Sequence, residues 1–252
     1  MEPALIQYLI DQEVKEDVYC VSDSDKNVFN TFLNELNEQL GTDYHYLTEI
    51  DNYRIQGSGT IVAKYIPQIM SETVRSYMMG QMVEDRIPGC SALLYEMYLH
   101  FKTSNEYIAK KGYPSPAHIC VRYDHAFKTL KPKRLKDEFL QLADCPRDAY
   151  YLPFTVRMLA SWRIPEVKDI LVRYLYGERI THKAVDLPLD DEGYAPSLCT
   201  IQRDLKFTAL AGLKYYPSEI VLQLVQKYTK DPDKDVEEAA QKAVNIIKTK
   251  LN

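Results

Sequence analysis

The chain has 252 residues, 46% of them hydrophobic and 27% charged, with a formal net charge of -5. That composition is too apolar for a disordered chain, and the length suits one domain or one stacked array. An acidic chain also lacks the overall basic footprint of a protein that binds nucleic acid by neutralising phosphates.

Five cysteines (Cys20, Cys90, Cys120, Cys145 and Cys199) are odd in number and form no CxxC pair. Free thiols in a reducing compartment fit them better than a disulfide framework. The N-terminal sequence lacks the basic and apolar regions of a signal peptide, and no run approaches the ~18 apolar residues of a membrane span. The expected location is cytoplasmic. Glycine is scarce, at nine residues, which disfavours turn-rich β folds and phosphate-loop α/β folds. Tyrosine is abundant, at twenty, and suits half-buried helix surfaces and interfaces.

Helical periodicity runs along nearly the whole chain. Leu5, Ile6, Leu9 and Ile10 form a short apolar stripe. Asp23 or Ser24 can cap a helix with Val28, Phe29, Phe32, Leu33, Leu36 and Leu40 on one face, and Gly41 can stop it. Residues 42–59 read as a connection ending in Gly57-Ser58-Gly59-Thr60. A helix to about Met70 then carries Ile61, Val62, Tyr65, Ile66 and Ile69.

Residues 71–101 read as a helical hairpin opened by Ser71, with Pro88 at the start of its second helix. The same grammar recurs at 151–175, where the tripeptide Arg-Ile-Pro of 86–88 returns at 163–165. A third copy, at 207–228, turns at Pro217. A weaker one, at about 117–143, breaks at Lys131-Pro132. Residues 231–251 begin one more helix, with Val236, Ala240, Ala243, Val244 and Ile247 inward. Residues 103–116 and 177–199 read as polar connections, the longer one an insertion.

Self-similar helix pairs of roughly 30–45 residues indicate a solenoid, because each pair needs neighbours to bury its second apolar face. Ala160, Ala209, Ala240 and Ala243 would let adjacent helices approach. The units resemble HEAT and HEAT-like repeats of the armadillo-like class. A Val-Arg pair followed by a small residue one turn later carries the resemblance, together with a proline at the turn. Val156-Arg157 with Ala160 matches best. Val74-Arg75 is followed by Met78, Val121-Arg122 by His125, and Val236 by Glu237 in place of arginine. The resemblance covers about residues 60–252. It implies an all-α solenoid over 57–252, a continuous stack of about five pairs, with 1–56 as an N-terminal helical cap.

No enzyme signature stands out, and neither a metal nor a cofactor is implied. His45, His100, His118, His125 and His182 form no HxxxH pair, and His118 and His125 lie roughly 10 Å apart along a helix. His118 and Cys120 point in different directions on a helix. Gly57-Ser58-Gly59-Thr60 could offer N–H groups to an anion but lacks the lysine and spacing of a P-loop, so a joint with an N-cap is the plainer reading. Asp186, Asp190, Asp191, Glu192 and Gly193 lack the alternation of a calcium loop and read as a solvated acidic loop. The basic run Lys128, Lys131, Lys133, Arg134 and Lys136 reads as a hairpin tip. Trp162 reads as packing between repeats.

The resemblance further implies that second helices, near 88–101, 164–176 and 217–229, line a concave face. Leu94, Leu171 and Leu224 should then point inward. Tyr95, Lys168, Arg173, Tyr176, Gln223 and Lys227 fall on the other side by helical spacing and form the expected partner surface. The expected role is a monomeric protein-interaction scaffold or inhibitor, with an immunity protein as one version, and with no membrane association. The alternative is a DNA-repair enzyme similar to HEAT-like alkylpurine glycosylases, although no tryptophan pair with an aspartate is present to carry that site over. HEAT-like bilin lyases are a third comparison.

Overall fold

The computed structural model describes residues 21–45, 49–50, 55–108, 115–188 and 195–252. Among these the chain is all-helical and has no strand. The apolar stripe Leu5, Ile6, Leu9 and Ile10, together with Cys20 and the acidic residues Asp190, Asp191 and Glu192, lies outside the described residues. The described helices form two compact units, one ending at Leu130 and the other comprising Lys131–Leu187 and Ala195–Asn252.

The first unit contains α1 (Asp23–Leu40), α2 (Ser58–Tyr65, continued by a 3-10 turn at Ile66–Gln68) and α3 (Glu72–Glu84). After these come α4 (Cys90–Phe101), the single turn α5 (Asn105–Ile108) and α6 (Pro116–Leu130). Ser22 caps α1, accepting the Asp25 N–H at 3.1 Å. Asp25 is thereby left to turn inward, where it accepts the N–H groups of Met70 at 2.8 Å and Ser71 at 3.0 Å. Ser71 caps α3 as expected, by accepting the Val74 N–H. Helix α1 packs on α2, α2 on α3, and α3 and α4 both pack on α6. Tyr98, Phe101, Tyr123 and Phe127 fill the space between α4 and α6 with edge-on and stacked rings, Tyr98 and Tyr123 lying 5.3 Å apart. Burial of each ring contributes about 2–3 kcal/mol.

The second unit contains α7 (Lys136–Asp144), α8 (Pro146–Tyr151), α9 (Pro153–Ser161), α10 (Pro165–Leu175), α11 (Leu198–Leu213), α12 (Glu219–Gln226) and α13 (Lys234–Leu251). Helix α11 is its centre and packs against α8, α9, α10, α12 and α13. Small residues allow this. Ala160, Ala209 and Ala240 are fully buried, and a Cβ on Gly212 would come within 2.6 Å of Leu171 Cδ1. Leu94, Leu171 and Leu224 are buried, as their spacing predicts.

Both Arg-Ile-Pro copies are helix stops. Arg86 and Arg163 occupy the left-handed region, at φ 50° and 57°. After α3 the Ile87 N–H returns to the Met82 carbonyl and the Arg86 N–H to that of Val83, which satisfies two carbonyls at the helix end. The copies then diverge. Pro165 is the first residue of α10, whereas Pro88 stays in the turn and α4 begins at Cys90, after Gly89 at φ 85°. Helix α11 also starts earlier than the third copy predicts, because Ser197 caps it by accepting the Thr200 N–H.

Candidate functional site

The expected partner surface is only partly a surface. Tyr95 is a correction: it is 7% exposed, because α4 is covered by both α3 and α6 and its buried face widens past the Leu94 stripe. The other five residues belong to the second unit. Gln223, Lys227 and Tyr176 are exposed, and Lys168 is half-buried. Arg173 is half-buried and anchored, its guanidinium donating to the Asp144 carboxylate, which also accepts Arg179 Nη1 at 3.1 Å.

Of the six, Arg173 lines a cleft. It lies between α7 and α10, with a volume of about 570 Å³. Leu140, Ile170 and Val172 give it an apolar floor, and the exposed carboxylates of Glu166 and Asp169 stand on its α10 side. Glu166 follows Pro165 in the first turn of α10, where the helix dipole favours a negative charge. Asp144 is paired with Arg173 and Arg179, and the exposed carboxylates of Glu166 and Asp169 are the other acidic groups around the cleft. Tyr216 braces the α10 end by donating its hydroxyl to the Ile164 carbonyl at 2.7 Å. Burial and the nearby charges of Glu166 and Asp169 push its phenol up.

The first unit holds a buried ionic cluster that pattern reading missed. Glu72 Oε1 accepts from Arg75 Nη1 at 2.8 Å, and His100 Nδ1 lies 2.8 Å from the same oxygen. The Glu72 side chain is 0% exposed, while His100, at 46%, is the cluster's edge toward solvent. Glu106, from α5 inside the segment expected to be a plain polar connection, accepts the Glu72 N–H at 3.3 Å and so helps cap α3. Burial, and next the charge of Glu72, push the Glu106 carboxyl up to about 7. Burial also raises Glu72, against the pull of Arg75 and His100. The Tyr123 phenol is pushed up by burial first and by Glu72 second. The only sequence signal was an i,i+3 Glu-Arg pair beside a serine cap, which is ordinary helix-start chemistry.

The remaining sequence candidates separate. Gly57-Ser58-Gly59-Thr60 does bind an anion at a helix start, but that anion is the chain's own Asp85, whose Oδ2 accepts the N–H groups of Gly57 at 3.0 Å and Gly59 at 2.8 Å. His118 is exposed and Cys120 fully buried. Lys128, Lys131, Lys133, Arg134 and Lys136 are all exposed. Trp162 is half-buried at the end of α9. No group of three histidine, cysteine or carboxylate side chains is placed to hold a metal among the described residues. Among those residues, too, no helix is long and apolar enough to cross a membrane. Comparison of the chain with protein-family models, curated proteins and solved structures found no match in any of the three.

Proposed function

We propose that this chain is a HEAT-like array of helical hairpins that binds another protein, and that the cleft between α7 and α10 receives a basic segment of that partner. The observation carrying this reading is the cleft's combination of an apolar floor (Leu140, Ile170, Val172) with the carboxylates of Glu166 and Asp169. An aliphatic side chain of the partner would rest on the floor while a neighbouring lysine or arginine meets the carboxylates. Arg173 would act as a fixed wall, since Asp144 already holds its guanidinium.

The hairpin reading is supported by α9 and α11, the first helices of two successive pairs, and by the final helix α13: α9 packs on α11 and α11 on α13. The recurring Arg-Ile-Pro stop supports it as well. An acidic cleft on a chain of net charge -5 complements a protein whose working surface is basic. An inhibitor of immunity type would take that form. The DNA-repair alternative needs a cationic groove, and carboxylates on α10 repel a phosphodiester backbone.

The test is affinity capture from the source cell at low salt, comparing the unaltered chain with a Glu166→Lys/Asp169→Lys variant and mapping contacts by cross-linking. A basic protein should be captured, cross-link to α7 and α10, and be lost from the variant. Equal capture by both chains, or cross-links that avoid α7 and α10, would sink the reading.

A further inference from the structure

The second unit has another cavity, of about 300 Å³, between α9, α11 and α13, and it shares no lining residue with the α7–α10 cleft. Three cations from three helices line it: Arg157 from α9, Lys214 at the end of α11, and Lys242 from α13. Its apolar wall is Phe207 with Ala211 and Ala243.

Arg157 and Lys214 are held by contacts, while Lys242 is exposed. Arg157 Nε donates to the Pro153 carbonyl at 3.2 Å. Its guanidinium lies 4.1 Å from the Phe154 ring and 5.9 Å from that of Phe207. The ammonium groups of Lys214 and Lys250 sit 5.2 and 5.6 Å from the Tyr215 ring, and Lys250 also donates to the Lys214 carbonyl at 3.4 Å. Burial pushes the Lys214 ammonium down from its usual range, and Arg157, Lys242 and Lys250 push it the same way. Like charges converging on a partly desolvated wall repel one another, and an anion placed between them turns repulsion into attraction.

We propose that this cavity binds a phosphomonoester with a flat apolar body. The phosphate sits among Arg157, Lys214 and Lys242, and the body lies against Phe207 and the alanine wall. The lining sets three cations against the carboxylates of Asp235 and Glu238, and a monoester of roughly -1.5 to -2 charge near neutrality pairs with its cationic side, away from those two. The monoester's oxygens can take both a guanidinium fork and point-charge ammonium groups. Asp235 and Glu238 line the same cavity from the start of α13. A second phosphate continuing along α13 would meet their like charge, which favours a monoester over a polyanionic strand.

The experiment is calorimetric titration of the full chain at low salt with phenyl phosphate, inorganic phosphate and a short single-stranded oligonucleotide as separate probes. Phenyl phosphate should bind at a single saturable site, about tenfold or more tighter than inorganic phosphate. Lys242→Gln, a change at an exposed position, and Lys214→Met should each weaken it about tenfold or more with the helical circular dichroism retained. Lys133→Gln, at an exposed lysine outside both cavities, should leave it unchanged. Absence of saturable binding, indifference to both lysine substitutions, equal binding of inorganic phosphate, or tighter binding of the oligonucleotide would each overturn the proposal.

Discussion

Gly59 and Asp85 meet so closely that a side chain on the first would strike the second. A Cβ on Gly59 would lie 2.8 Å from Asp85 Cβ and 2.8 Å from the Gln81 carbonyl oxygen. The contact brings the start of α2 onto the end of α3, and the Asp85 carboxylate takes the first N–H groups of α2. Gly59→Ala is therefore expected to lower stability by about 1–3 kcal/mol through overpacking. Helix propensity alone predicts the opposite sign, a gain of about 1 kcal/mol. Urea-unfolding midpoints decide between them, and a stabilised variant would mean that the two helices do not approach this closely.

The Glu106 carboxyl, raised from 4.5 to about 7, ties the first unit's stability to pH. Its folded-state value lies above its unfolded value, so between the two the folded chain holds a proton that the unfolded chain has released. The stability this supplies is complete below about pH 4.5 and is lost as pH rises through about 7. Glu72 is shifted in the same direction. Unfolding free energy should fall by on the order of 3 kcal/mol from about pH 5 to about pH 8. Glu106→Gln keeps an acceptor for the Glu72 N–H and removes the titration, so its profile should be flatter. Equal slopes for the two chains would contradict the assignment.

Arg86 and Arg163 are exposed and hold left-handed backbone conformations that L side chains disfavour by roughly 1–2 kcal/mol. Arg86→Gly and Arg163→Gly should leave stability unchanged or raise it by up to about 1 kcal/mol, because glycine's larger unfolded-state entropy offsets part of the relief. Arg163→Val should lower it by about 1–2 kcal/mol, since a β-branched residue tolerates positive φ least. Thermal melts of the three variants test the order. A glycine variant less stable than the valine one would contradict it.

Much of the helical layout was legible in local patterns. Ser71 and Gly41 mark helix ends by side-chain and backbone chemistry within a few residues, and the stripe Ile61, Val62, Tyr65, Ile66 and Ile69 is buried as its period requires. Tyr95 shows where period alone fails. Spacing gives the direction of a side chain but not how many neighbours cover its helix, and α4 has two. The Pro88 difference has a similar origin: both tripeptides end a helix, and the glycine after Pro88 delays the next one.

The recurrence of Arg-Ile-Pro, the sparse glycine and the apolar periodicity settle that this is a helical chain punctuated by defined stops. Those signals act within one or two turns of backbone, so they survive without knowledge of the fold. The sites do not. Glu106 meets Glu72 from a short turn α5, Asp144 on α7 fixes Arg173 on α10, and Lys214 faces Arg157 and Lys242 from other helices. Each of these pairings depends on how helices pack after long separations in sequence. Burial and Coulomb forces act through space there, and only the tertiary structure decides which charges face a carboxylate, a cation or a cavity.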